Sequence, residues 1–393
     1  MTFHRVLRGV DYILLLTVLM VIAFSLIAIA SATHVTTPIH VGEETELLFG
    51  VLNLSAMDIV IKQMIWTVLG VFVMGVVLFF NYEDWPKYTK ALYIINVLML
   101  LAVIFIGKTA LGAQRWIAVG PFVLQPSEFA KVIIIVTFAN FLANREGRLR
   151  TIKELLPAFA FIGFPMLLIL MQPDLGTSLV FIAIMFGMLF MAGANPKVLG
   201  GIIGGGGLLG FGWLFAYFQN PDKVWIPLHD YQVDRLTIFL NPFRDPLGDG
   251  YHIIQSQIAI GSGGLYGKGI FSGSQNQLNF LPEQHTDFIF SVVGEELGFI
   301  GTVAVLALFF IILYRGIMIA AQAKDTFGSL LATGVVSMIV FHVLVNVGMT
   351  IGIMPVTGLP LPLFSYGGSS MMTNMIAIGI LLNVCARRKK LVF

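Results

Sequence analysis

Residues 11–31 read DYILLLTVLMVIAFSLIAIAS, and after the opening aspartate no charged residue interrupts the run. A helix rises about 1.5 Å per residue, so roughly 20 apolar residues match the ~30 Å hydrocarbon thickness of a bilayer. The run is too long for the apolar core of a removable signal and lacks a small-residue cleavage pattern, so it reads as a retained spanning helix. The rest of the chain repeats the signal. Further apolar stretches lie near 59–80, 89–107, 126–143, 155–172, 175–193, 198–218, 287–314, 328–352 and 370–386. Composition agrees: 57% of residues are hydrophobic, 11% are charged, and mean hydropathy is +0.90. A soluble fold could not hide that much apolar surface. The expectation is an all-α integral membrane protein of about ten transmembrane helices, a single polytopic membrane domain over residues 1–393.

An even number of spans puts both termini on one side. Fifteen of the 23 Lys and Arg residues then fall on the side of the termini, including Arg145, Arg148, Arg150, Lys153 and the Arg387–Lys390 cluster. The positive-inside rule makes that side cytoplasmic. A net charge of +2 gives no reason to expect a nucleic-acid partner. The single cysteine, Cys385, excludes an internal disulfide and reads as a small packing residue.

The polar chemistry gathers on the opposite, outer face. The longest segment outside the spans, residues 219–286 between the seventh and eighth helices, is a large extracellular loop with turn-rich runs NPFRDPLGDG and IGSGGLYGKGIFSGSQNQ. Other outer connections are KTALGAQRWIAVGPFVLQ at 108–125, the tight QPDLGTS turn at 172–178 and MPVTGLPLPLFSYGGSS at 354–370. Into this face runs LPEQHTDFIFSVVGEELG, residues 281–298, which carries Glu283, His285, Asp287, Glu295 and Glu296 in a charge-poor chain. Ionisable groups at a membrane edge are costly unless paired, solvated or used, which makes Asp287 the leading functional candidate.

Each feature also has a plainer reading. The glycine run GGIIGGGGLLGFG at 200–212 lacks the ending of a phosphate loop and suits close helix packing. His342 and Asn346, four apart in the ninth span, read as interhelical hydrogen-bond glue. Arg115 beside Trp116 fits an interfacial anchor as well as a site. Glu128 and Lys131, three apart, can neutralise each other. Asp174 at a helix start can serve as a cap. For Asp287, with His285 and Glu283 alongside, function outweighs capping. One of Glu295 and Glu296, two turns deeper, is expected to pair within the bundle.

The motifs GAQRW, QPSEFAK, QPDLGTS, GYHIIQSQIAIGSGGLYGKG, FLPEQ, HTDFIFSVVGEELG and LPLFSYGGSS, in this order from about residue 9 to 386, closely resemble the SEDS family of bacterial cell-wall polymerases. NPFRDPLGDGYHIIQS and GSQNQLNFLPE are similar to the elongation members more than to the division members. The first outer loop, 34–56, is longer than the elongation pattern. The resemblance implies a peptidoglycan glycosyltransferase of cell elongation and shape control, polymerising lipid II into β-1,4 glycan strands on the outer face of the cytoplasmic membrane. It implies a class B penicillin-binding protein and other elongation machinery as partners. It places the catalytic aspartate at Asp287, and substrate-binding positions at Arg115, Glu128, Lys131 and Asp174. His285, Ser365, Gly367 and Ser369 lie in the same family motifs and are carried as substrate-binding candidates.

Chemistry fits these residues. Inverting displacement at an anomeric carbon bearing a diphosphate needs a base on the face opposite the leaving group. Asp287 near the bilayer edge suits that role, with desolvation raising its pKa. Arg115 suits the leaving diphosphate through its planar fork, and Lys131 is expected as a second charge. The family makes a divalent cation, magnesium or manganese, an expected cofactor, with Asp287 as a metal ligand; no organic cofactor is expected. The competing readings are a flippase or transporter of a lipid-linked sugar, which calls for ionisable groups at the midplane, a scaffold, and a division or sporulation paralogue.

Overall fold

The computed structural model describes residues 9–34, 46–110, 113–119, 122–220, 224, 230–246, 248–278 and 280–388. Ten apolar helices order the chain: α1 (Tyr12–Thr33), α2 (Glu46–Phe79), α3 (Thr89–Ile106), α4 (Pro126–Ala143), α5 (Ile152–Leu170), α6 (Leu175–Met191), α7 (Pro196–Gln219), then α10 (Ile289–Ala321), α11 (Thr326–Thr350) and α12 (Gly368–Ala386). Among the described residues nine of these are long and apolar enough to cross a membrane, and α6, of 17 residues, is the shorter tenth. Most of the expected ends lie within three residues of the observed ones. The exceptions are the start of α2 and the end of α10, which runs seven residues past Tyr314. Of the first loop expected at 34–56, residues 35–45 lie outside the described residues and residues 46–56 belong to α2.

The bundle has a protein-facing centre and a lipid-facing rim. In α12, 89% of the apolar window is buried, against 6% in α7. α12 packs along α2, while α11 packs against α10, α6 and α4. Gly379 permits the α12–α2 approach: a β-carbon there would stand 3.0 Å from the Met74 carbonyl. Asn383 Nδ2 donates to Val77 O and Phe80 O at 2.6 and 2.5 Å, and Arg387 Nη1 donates to Leu78 O at 3.1 Å. These bonds satisfy carbonyls that the end of α2 leaves open. Asp11 caps α1 through Leu14 N and pairs with Arg315 Nη2 at 2.5 Å. The glycine run does not pack as expected: β-carbons on Gly200, Gly201, Gly204–Gly207, Gly210 and Gly212 would meet nothing within 4 Å. α7 turns that surface away from the described protein.

Two connections between helices carry more structure than turn signals suggest. Residues 108–124 form a small antiparallel sheet in the order β1 (Lys108–Ala110), β2 (Ala113–Val119), β3 (Phe122–Leu124), with Ile117 opposite Leu124. The 219–286 segment contains α8 (Asp230–Leu240) and α9 (Asp249–Ser262). α9 lies on α10, where Ser256 Oγ sits 2.7 Å from Ser291 Oγ and donates to Thr350 O at 2.7 Å.

α10 is broken at Gly298, whose φ of 64° and ψ of −160° leave the helical region. Breaking a helix frees backbone groups that lipid cannot satisfy. Residues 263–269 satisfy them. Lys268 N and Gly269 N donate to Glu295 O and Glu296 O at 3.0 and 2.9 Å, while Phe299 N and Ile300 N donate to Gly264 O and Leu265 O at 2.9 and 3.2 Å. Gly267 and Gly298 meet backbone to backbone, leaving no room for a β-carbon on either. The upper half-helix, residues 289–297, is thereby a separate piece with Asp287 at its entrance.

Candidate functional site

Asp287 closes a series of turns over residues 281–288. Its carbonyl accepts a bond of 2.9 Å from Asn346 Nδ2 in α11, but among the described residues its carboxylate accepts none. The residue keeps partial exposure to a cleft, yet protein crowds the carboxylate. Desolvation is the largest influence on it, reinforced by Glu283 and opposed by Arg235 and Arg115, and together they push its pKa up to about 6. His285 is shifted down, first by burial, with Glu283 opposing. Its ring lies 5.6 Å from the Tyr366 ring, and its carbonyl accepts from Tyr366 N.

Two guanidinium groups face this acid. Arg115, on β2, is held by carbonyls at the α5–α6 turn: Nε donates to Gln172 O at 3.2 Å, and Nη2 donates to Pro173 O. Arg235, on α8, donates to Val356 O at 3.3 Å. Both line a small cleft with Gln232, Leu236, Pro355 and Thr357. Gly358, at φ 72°, separates acid from cation, since a β-carbon there would stand 3.4 Å from Asp287 Oδ2 and 3.9 Å from Arg235 Nη1. Thr357 Oγ1, adjacent, is buried with no hydrogen-bond partner among the described residues. The cleft thus offers two arginines and Thr357, and the carboxylate with raised basicity lies beside it, on the other side of Gly358.

The structure does not bring Lys131 to this cleft. Its side chain is 1% exposed, with Nζ 2.7 Å from Glu128 Oε1 and 3.1 Å from His342 Nε2. An ammonium can only donate, so His342 Nε2 accepts and Nδ1 carries the proton, which it donates to Pro360 O at 3.2 Å. The chain Glu128–Lys131–His342–Pro360 is a buried internal network, with Glu128 4% exposed and its second oxygen, Oε2, without a partner among the described residues. The plainer ion-pair reading describes both residues as they stand, and the second cation beside Asp287 is Arg235.

The other expected positions are likewise turned inward. Asp174 caps α6 through Thr177 N at 3.1 Å and Thr177 Oγ1 at 2.9 Å, and also accepts from Ser127 Oγ at 3.4 Å at the start of α4. Ser365 Oγ accepts from Leu361 N at 2.9 Å, Gly367 N donates to Gln63 Oε1 at 3.2 Å, and Ser369 Oγ accepts from Gln125 N at 3.0 Å. These three shape the 354–367 loop and dock it on α2 and α4. Glu295 accepts from Lys268 Nζ at 2.7 Å and Gln275 N at 3.0 Å, so the expected internal partner is Lys268. Glu296 accepts from Ser31 Oγ and Asn276 Nδ2 at 2.5 and 3.2 Å.

Arg235 was not legible as a site residue. Its signal, an arginine in the amphipathic DYQVDRLTIFL stretch, was hidden inside a segment read as turns. Among the described residues no group of three or more His, Cys, Asp or Glu side chains could cage a metal ion.

Comparison with known proteins gives one consistent answer. Residues 11–390 match the family model FTSW_RODA_SPOVE, described as "Cell cycle protein". The chain is similar to the peptidoglycan glycosyltransferase MrdB of Escherichia coli K12, at 44% identity over 79% of this chain and 80% of that protein. It is also similar to the peptidoglycan glycosyltransferase RodA of Treponema pallidum, at 36% identity over 97% and 99%. Among solved structures it resembles a chain from "Structural coordination of polymerization and crosslinking by a peptidoglycan synthase complex", at 30% identity, TM-score 0.75 and coverage of 96% and 97%. The Rod shape determining protein RodA of Thermus thermophilus matches at 27% identity and TM-score 0.67, covering 97% and 98%.

Proposed function

The chain belongs to the FTSW_RODA_SPOVE family of cell cycle proteins, and on that premise we propose that it is a peptidoglycan glycosyltransferase in which Asp287 is the general base. The shape-determining relatives favour cell elongation over division. The protein is a multi-pass membrane protein. The basic-residue bias supports cytoplasmic termini and an outward-facing cleft. The substrate is lipid II, entering sideways from the membrane because its polyprenyl tail cannot leave lipid.

The observation that carries the reading is Asp287 itself, a carboxylate with no hydrogen bond among the described residues, raised to a pKa of about 6 and faced by two arginines. Such a group is ionised at neutral pH and a stronger base than an ordinary aspartate, and a positioned base contributes roughly 10²- to 10⁴-fold in rate. Asp287 takes the proton of the acceptor sugar hydroxyl as its oxygen bonds to the donor's anomeric carbon. The carbon–oxygen bond to diphosphate breaks on the opposite face. The diphosphate leaves with the electron pair, its charge met by Arg115 and Arg235 through charge-assisted bonds.

A magnesium or manganese ion fits these residues in one way. Asp287 and Glu283 are hard oxygen donors close enough to interact, and one or two carboxylates plus a substrate diphosphate are an ordinary magnesium environment. When bound, the ion would neutralise charge on the diphosphate. The structural neighbour from a peptidoglycan synthase complex, in which polymerization and crosslinking are coordinated, supports a class B penicillin-binding protein as the partner. The transporter alternative is less well supported, because Asp287, Arg115 and Arg235 collect at one end of the bundle, whereas a transporter calls for such groups at the midplane.

The test is strand synthesis from labelled lipid II by purified protein with its partner present. Asp287→Asn keeps the shape but cannot take a proton, and is expected to abolish glycan. Substantial product would end the general-base assignment.

A further inference from the structure

Asn346 is fully buried in α11. Its single amide nitrogen donates twice, to Asp287 O and to Leu359 O, both at 2.9 Å. These carbonyls belong to the two separate segments that face each other across the acid, the 281–288 turns and the 354–367 loop. The amide oxygen, Oδ1, is buried with no partner among the described residues. An asparagine placed only to satisfy itself would use its acceptor; here the two donors are used and the acceptor is left idle, at a cost of about 1–3 kcal/mol for an unsatisfied group. Among the common side chains of this size, only an amide puts two protons on one atom with no charge. Leucine would leave both carbonyls orphaned, and aspartate would set a negative oxygen against them.

The same face of α11 holds the loop a second time one turn away, where His342 donates to Pro360 O. The loop residue next to Leu359 is Gly358, whose α-carbon region abuts Asp287 Oδ2 and Arg235. The spacing between carboxylate and loop is therefore set from behind, by α11.

Resting on the reading of Asp287 as the base, we infer that Asn346 is a positioning residue for the glycosyl transfer: its amide staples the acid-bearing turn to the loop opposite and so fixes where the carboxylate meets the acceptor hydroxyl. Asn346 touches neither substrate nor reacting atoms. It acts through the backbone of Asp287.

The measurement is the kinetics of lipid II polymerisation by Asn346→Leu, Asn346→Asp and Asn346→Gln, purified with the partner and normalised to folded protein. A misplacement near 1 Å can cost about 10²-fold, so kcat is expected to fall roughly 10- to 100-fold while KM stays within about threefold. The pH profile supplies a second readout. Asp287 is faced by Glu283, His285, Arg235 and Arg115; releasing the staple admits water to the carboxylate, and the acid limb is expected to move down from the wild-type position. An unchanged kcat, or a rise in KM as large as the fall in kcat, would overturn the inference. So would an equal loss in Asn96→Leu, since Asn96 is equally buried in α3 but its amide has no partner among the described residues. If none of the three variants folds, the residue serves the fold alone and the inference fails. Should Asp287→Asn retain activity, the base assignment fails; should Asp287→Asn be inactive and the Asn346 variants normal, only this inference does.

Discussion

Two charge clusters sit at the same end of the bundle, and they have opposite designs. Glu128, Lys131 and His342 are sealed, with the Lys131 ammonium held by two partners at 2.7–3.1 Å and only one oxygen of Glu128 paired among the described residues. Arg115 and Arg235 line a cleft beside Asp287, and no hydrogen bond among the described residues quiets the acid. The first keeps its cation paired and shut away, whereas the second sets its arginines on reachable space, and reachable charge is what a substrate with a diphosphate and a hydroxyl can use. Buried charge alone does not mark a reaction centre.

The sharpest way to break this contrast is to swap the expected losses. Asp287→Asn is expected to lose activity by about 10²-fold or more with no loss of thermal stability. The linkage has a definite sign: the carboxyl's pKa is raised from 3.8 to about 6 on folding, so its contribution to stability is present below pH 3.8 and lost as pH rises through 6. At pH 7.5 the ionised form burdens the fold, and a neutral amide keeps or raises Tm. Lys131→Met is expected to do the reverse, costing about 3–5 kcal/mol by stranding Glu128. Adding Glu128→Gln is expected to restore much of that stability, read by thermal unfolding of the purified protein in detergent. A Lys131→Met variant that is stable but selectively loses lipid II affinity would return Lys131 to the diphosphate site.

A smaller effect separates the two arginines. Arg115→Ala and Arg235→Ala are each expected to lower kcat/KM by about 10- to 100-fold, and lysine at either position to recover only part, because an ammonium lacks the bidentate fork. Normal turnover in Arg235→Ala would remove it from the cleft chemistry. The mildest test varies only pH. In wild type, the rate is expected to fall about tenfold per unit below pH 6 as Asp287 takes up its proton. A profile flat down to pH 5 would contradict the raised pKa.

The ten helices were legible because lipid imposes one length on all of them, and runs such as 11–31 carry that length openly. Asp287 and Arg115 were legible because charge is rare enough here to stand out. What the chain concealed lay in tertiary pairing. Lys131 looks as available as Arg115 in sequence, and only the return of His342, 211 residues later in the chain, closes it off. Arg235 and the helix bearing it were masked by surrounding glycine and proline, which signal turns but not what packs between them. Asn346 was read as glue, as it is; that its partner is the backbone of Asp287 is not a property of any local pattern.

The break at Gly298 divides α10 by task. At about 1.5 Å per residue, the part from Phe299 to Ala321 is roughly 35 Å long and crosses the ~30 Å hydrocarbon unaided. Residues 289–297 are then surplus to spanning. Relieved of that duty, they serve as a short post standing on a finished helix, its foot plugged by the 263–269 backbone and its head ending beside Asp287. Strain at the head stops at a hinge instead of travelling down a rod. The acid is carried by a part small enough to be replaced or reshaped without re-fitting the membrane anchor beneath it.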